Sequence, residues 1–207
     1  MISLNKVIYE LVETLTVSKC PSCGRITRRS GTMCPECLDK YRAEKERPCA
    51  FCEMPASVCV CSTRNLYYCK YLGRSMYSPL FYEKGNETSY AALRRLKYDS
   101  DRGAEKFFAR ELSREILLLF SETKTFPEDW CITYPPRRKS SRRLYGFDQS
   151  RGLAKRIAKY TGMKFETVLS RKGGAAQKKL DAAGRTENAL SSYSLATRAD
   201  VIPKLFV

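Results

Sequence analysis

Two Cys-x-x-Cys pairs separated by ten residues, Cys20-Pro-Ser-Cys23 and Cys34-Pro-Glu-Cys37, constrain this chain more than any other feature. Two such pairs can deliver four thiolates to one tetrahedral point, and Gly24 suits the tight turn after the first pair. The residues between them leave room for a short hairpin, which describes a zinc ribbon. Buried or redox-active thiols are the competing reading. A second group is looser. Cys49-Ala-Phe-Cys52 is an ordinary knuckle, but Cys59-Val-Cys61 has a tighter bite, because alternate residues of a strand point to opposite faces. Cys69 can replace one member of that pair. The reading is a second four-cysteine zinc site on Cys49, Cys52, Cys59 and Cys61, with Cys131 an ordinary buried thiol in a strand.

The chain has ten cysteines and no histidine. That absence removes the Ser-His-Asp triad, the Cys-His dyad and every His-containing metal site. Residues 1–17 are apolar, but Lys6, Glu10 and Glu13 interrupt them, so they fail as a signal segment or membrane span. Cysteine-rich and without a signal segment, the chain is expected in the reducing cytoplasm, its thiols holding metal. Lys and Arg number 38 against 22 Asp and Glu, a formal charge of +16. Such an excess points to polyanionic partners, either nucleic acid or phosphorylated small molecules.

Read in order, Leu4, Val7, Ile8, Leu11, Val12 and Leu15 predict an amphipathic helix over 2–16. The cysteine module then occupies the rest of 1–64, and an α/β domain with a largely parallel sheet occupies 65–207. Tyr-, Leu- and Phe-rich runs at 65–71 and 75–82 read as strands. Thr88 or Ser89 is expected to cap a helix through Lys97, with Leu93 and Leu96 inward. A longer helix carries Phe107, Phe108, Leu112, Ile116 and Leu119 as its core stripe. Beyond Gly162, Met163–Leu169 reads as a strand, 170–179 as a flexible basic segment and 181–190 as a short helix. Leu205, Phe206 and Val207 look like the first residues of a buried strand.

Between these lies Trp130–Gly162. Trp130–Tyr134 is a short β-branched and apolar run, ended by Pro135 and Pro136, which cannot donate to a ladder. A loop follows with Arg137, Arg138, Lys139, Arg142 and Arg143, and Arg151 lies just inside the next helix. Asp148 sits at its N-cap, Leu153, Ala154, Ile157 and Ala158 form its apolar stripe, and Gly162 ends it. Strand, basic loop and helix N-terminus together make an anion cradle. On charge alone, a solvated basic loop fits equally well.

These segments, in this order, resemble the ComF family of bacterial competence-associated proteins. Those proteins join a zinc ribbon to a type I phosphoribosyltransferase-like domain with a Rossmann-like, mostly parallel sheet. The resemblance rests on Cys20, Cys23, Cys34 and Cys37, on Cys49 with Cys52, and on Leu93-Arg-Arg-Leu-Lys-Tyr98. It also rests on Ile132-Thr-Tyr-Pro-Pro136, on Arg142-Arg-Leu-Tyr-Gly-Phe-Asp-Gln149, and on Gln177, Leu180, Arg185 and Asn188. What it implies is a link to DNA uptake and the binding of phosphoribosyl pyrophosphate with Mg²⁺. Tyr134, Pro135, Pro136, Arg137 and Arg138 would wrap the pyrophosphate. Arg142, Arg143, Gly146, Phe147, Asp148, Gln149, Arg171, Lys172, Gln177 and Arg185 would be further substrate-contacting candidates. Arg171, Lys172 and Gly173-Gly174 would form the mobile cover.

One departure bears on catalysis. The family's strand ending in two adjacent acids, followed by a Thr/Gly-rich phosphate loop, has no counterpart: no Asp-Asp, Asp-Glu or Glu-Glu pair occurs. In family order that segment would begin near Leu205–Val207. The chain is therefore expected to be truncated, its domain incomplete and its transferase activity impaired. The alternative function is a zinc-ribbon protein that binds single-stranded nucleic acid, or docks a competence-machinery partner, without catalysis. Tyr and Phe interleaved with Arg and Lys at 64–82 suit that reading.

Overall fold

The computed structural model describes residues 17–56, 59, 87–172 and 181–196, together with the backbone of 204–206. The expected helix over 2–16, the strands at 65–71 and 75–82, and the segment 173–180 lie outside the described residues. Two compact units divide between Arg95 and Leu96. The sequence reading placed that division at 64/65.

In the first unit the chain makes a tight turn at Cys20–Cys23, closed by an isolated bridge between Lys19 and Ile26. Helix α1 (Pro35–Glu46) follows. Proline opens it without loss, since the first helical N–H groups have no intrahelical acceptor. The ten-residue interval therefore leads to a helix N-terminus, where a second ribbon knuckle was expected. Tyr41 on α1 is 1% exposed and anchors the helix to its unit. Helix α2 (Thr88–Tyr98) begins in this unit and ends in the second. Its first N–H groups are satisfied from outside, and neither Thr88 nor Ser89 supplies the cap. Glu44 on α1 accepts from Thr88 N at 2.6 Å and from Ser89 N at 2.9 Å. Arg47 pairs with Glu87 alongside.

The second unit is α/β. Helix α3 (Arg102–Thr123) is capped by Asp101, whose carboxylate accepts from Ala104 N, and it leads through a 3₁₀ turn (Pro127–Asp129) to strand β1 (Trp130–Ile132). Helix α4 (Lys139–Tyr145) and helix α5 (Gln149–Thr161) follow, then strand β2 (Lys164–Phe165). Strands β3 (Leu169–Arg171) and β4 (Tyr193–Leu195) flank helix α6 (Ala182–Ser192), and strand β5 (Lys204–Phe206) comes last.

A parallel sheet has the order β2-β1-β5, with Cys131 opposite Lys164 on one side and Leu205 on the other. The expected strand at 205–207 is thus seen as β5, over Lys204–Phe206. The expected strand at 163–169 divides. Its first part joins the parallel sheet as β2, whereas β3 pairs antiparallel with β4, with Ser170 opposite Ser194. Their hydroxyls lie 2.7 Å apart, a pairing that carries no hydrophobic period.

The core is built by α3 and α5 against β1: Ala109, Phe120, Ile132, Tyr134, Ala154, Ile157, Ala158 and Met163 are buried together. Small residues on both helices let them approach, and Leu112 and Ile116 pack against the cluster as the period predicts. Leu119 does not. It is 39% exposed, beside Leu117 and Leu118, because α3 presents that side away from α5 and the sheet. Asp148 caps α5, accepting from Arg151 N at 3.4 Å, and Gly162 ends it at φ +83°.

Candidate functional site

The first cysteine cluster is assembled from a turn and a helix end. Cys20 N–H donates to Arg25 O at 2.7 Å, and Gly24 N–H donates to Cys20 O at 3.0 Å. Gly24 has φ +80°, where a side chain is strained, and the Arg95 guanidinium lies against it: a Cβ there would sit 2.9 Å from Arg95 Nη2. Cys34 and Cys37 come from the first turn of α1, whose dipole favours thiolates. The four Sγ atoms all lie within 4.8 Å of one another, and Cys23 Sγ is 3.6 Å from Cys34 Sγ. A disulfide would hold them at about 2 Å. Zinc–sulfur bonds of about 2.3 Å place the corners of a tetrahedron about 3.8 Å apart, so the spacing fits a metal centre.

The second cluster repeats the turn. Cys49 N–H donates to Met54 O and Glu53 N–H to Cys49 O, each at 2.9 Å, and Pro48 bridges Pro55. Every partner lies 29 residues after its counterpart in the first turn, as Cys49 does after Cys20. Glu53 stands where Gly24 stood, at φ +58°. Cys49, Cys52 and Cys59 converge, with Cys52 Sγ 3.6 Å from Cys59 Sγ. Cys61 and Cys69 lie outside the described residues.

Thiol pKa values are displaced in both clusters. Burial raises the Cys20 thiol, but N–H groups of Cys34, Cys23 and Ser22 outweigh it and bring the pKa down to about 7. Cys37 is pushed up to about 12 by burial and by the neighbouring thiols. Cys49 is lowered to about 7, chiefly by the N–H groups of Phe51 and Cys52. Ionising all the thiols of a cluster within 4.8 Å of one another would set their charges in repulsion, a cost that a divalent ion would remove. Each of the two clusters could hold a zinc ion.

No family model, curated protein or solved structure matches this chain.

The basic segment of the second unit is more ordered than a loop. Arg138 precedes α4, which Gly146 ends at φ +75° by donating to Arg142 O. Lys139, Arg142 and Arg143 are exposed on this helix, and Arg138 is partly exposed ahead of it. Asp148 holds the segment at its base, with Oδ2 accepting from Arg137 N at 2.8 Å while Oδ1 caps α5. The Arg137 side chain turns back into the protein. It donates to Lys97 O at 3.2 Å and to Phe147 O at 3.4 Å, and its guanidinium lies 4.2 Å from the Tyr145 ring centre. Tyr145 in turn packs on Tyr98, at 5.7 Å. Tyr134 is buried and stacks on Phe165, Pro135 is exposed, and Pro136 is half-buried.

Other candidates are dispersed. Gln149 starts α5, and its Oε1 is buried without a hydrogen-bond partner. Arg171 pairs within the β3–β4 ladder, bonded to Tyr193 Oη at 3.0 Å, and Lys172, just beyond β3, donates its N–H to Ser192 O at the end of α6. Arg185 lies within α6, and Gln177 is outside the described residues. Sequence reasoning did not single out the adjacent acids Glu128 and Asp129. They are exposed in the 3₁₀ turn that precedes β1, whereas an acidic pair for ribose hydroxyls follows a strand. Tyr145 and Lys97 were read only as members of longer stretches, and neither was given a role.

No described helix is long and apolar enough to cross a membrane.

Proposed function

We infer that the second unit binds a pyrophosphate-bearing ligand of the phosphoribosyl pyrophosphate type, as a ComF-like, phosphoribosyltransferase-related protein. The first unit serves as its zinc-stabilised structural module. One observation carries this reading: a central parallel strand, β1, runs through Pro135 and Pro136 into a cationic segment that Asp148 ties to the start of α5. That order places positive charge and a helix N-terminus beyond the C-terminal end of a strand, where open parallel sheets take their ligands.

The chain's own residues bind and orient. Arg138, Arg142 and Arg143 neutralise the diphosphate, and Asp148 keeps the segment in place. Mg²⁺, carried in with the ligand, supplies further charge neutralisation. Turnover by this polypeptide is expected to be impaired, because no acidic pair follows a strand among the described residues.

Thermal unfolding with phosphoribosyl pyrophosphate and Mg²⁺ tests the reading. A concentration-dependent rise in Tm is expected, abolished by Arg138→Ala with Arg142→Ala and Arg143→Ala. An equal rise in the variant removes the ligand from this segment.

The second reading, nucleic-acid binding or partner docking by the cysteine module, is favoured by two exposed apolar residues. Ile26 is 75% exposed beside Lys19 and Arg25, and Phe51 is 89% exposed at the second turn. It predicts single-strand affinity that falls steeply with salt and is lost in Phe51→Ala.

A further inference from the structure

We propose that Arg137 is a positioning residue of the basic segment and makes no contact with the anion, which is met by Arg138, Arg142 and Arg143. This rests on the anion-binding reading above and divides its cations into two roles.

Both terminal nitrogens of the half-buried Arg137 guanidinium donate to backbone carbonyls of the protein. One end donates to Phe147 O and the other to Lys97 O, and the plane is packed on Tyr145 and within 5.4 Å of the Phe147 ring centre. Its backbone N–H is taken by Asp148. A planar cation between rings, with donors at both ends, is a role for arginine that lysine cannot reproduce. Swinging this side chain out to a ligand would forfeit two hydrogen bonds and the ring contacts together. Arg142 and Arg143 show the opposite character. Both are exposed, on a short helix whose two ends are set by Arg138 and Gly146. Arg137 thus joins α4 and the Phe147 backbone to the end of α2, holding the exposed cations in register for a phosphate-bearing anion.

The experiment uses the full chain and inorganic pyrophosphate with Mg²⁺ as probe. Affinity is measured by calorimetry at several salt concentrations, and hydrogen exchange of 139–147 is followed without ligand. Arg137→Lys, which keeps the charge, is expected to accelerate that exchange and weaken binding about tenfold while leaving the salt dependence as in the wild type. Arg142→Ala with Arg143→Ala is expected to leave exchange unchanged and flatten the salt dependence. Wild-type affinity together with wild-type exchange in Arg137→Lys overturns the proposal, since charge alone then suffices. Should the wild type fail to bind pyrophosphate, the anion-site reading falls. Exchange then decides separately: acceleration in Arg137→Lys upholds the brace, and no change overturns it.

Discussion

Gly152 leaves the space that Glu105 occupies. A Cβ built on this α5 glycine would stand 2.5 Å from Glu105 Oε2, and the same carboxylate receives Arg156 Nε at 2.8 Å. Both partners are about one-fifth exposed. Burial disfavours the Arg156 cation, but the Glu105 hydrogen bond and charge prevail and raise its pKa. A helix-interior glycine costs about 1 kcal/mol against alanine, so Gly152→Ala alone would be expected to stabilise. Here it should not, because it displaces the paired carboxylate. In a Glu105→Ala background the same change should stabilise by up to about 1 kcal/mol. Urea denaturation of the four chains reads the reversal, and an identical effect in both backgrounds refutes it.

Glu44 caps a helix that it does not belong to. Both of its oxygens accept N–H groups at the start of α2, so Glu44→Ala should cost about 1–2 kcal/mol. Glu44→Gln keeps one acceptor and should cost less. Chemical denaturation followed by far-ultraviolet dichroism would show the order, and an unchanged midpoint in Glu44→Ala would mean that this cap contributes nothing.

The two cysteine turns differ at one left-handed residue. Glu53→Gly should stabilise the module by about 1 kcal/mol, because a side chain at φ +58° is strained. Gly24→Ala should destabilise by at least as much, since it adds that strain and also meets Arg95. Thermal unfolding of metal-loaded protein gives both signs. Equal tolerance at the two positions would show that the turns are not equivalent.

Zinc affinity should rise with pH, and the sign follows from the thiols. Metal-free protein keeps a proton on Cys37, pushed up to about 12, and the ion must displace it. Cys20 and Cys49, lowered to about 7, are thiolates above that pH and add a proton to be displaced below it. The slope of log affinity against pH should therefore steepen below about pH 7. Competition with a chromogenic chelator measures it. Native mass spectrometry should show two ions, and one after Cys37→Ser. A flat pH profile, or no bound ion, contradicts thiolate ligation.

Local signals were legible and non-local ones were not. Asp148 and Gly162 bracket α5 because caps act within one turn of the chain, and the Cys-x-x-Cys spacing is itself the geometry of a turn. The Glu44 cap reaches residues 44 and 45 positions away, and nothing near Thr88 announces it. Helix α4 escaped notice because its sequence has no apolar stripe and its end is made by Gly146. Leu119 misled for another reason: the buried stripe runs by four-residue steps through Leu112 and Ile116 to Phe120, and Leu119 lies off it. Strands β3 and β4 meet through serines and an Arg–Tyr contact, which hydrophobic alternation does not encode.

The repeated turn also bears on assembly. Cys20–Arg25 and Cys49–Met54 each close on their own backbone bonds. If each cluster takes a zinc ion, loading is expected in separate steps, with a singly loaded chain distinguishable by native mass spectrometry. Metal supply would grade this module rather than switch it.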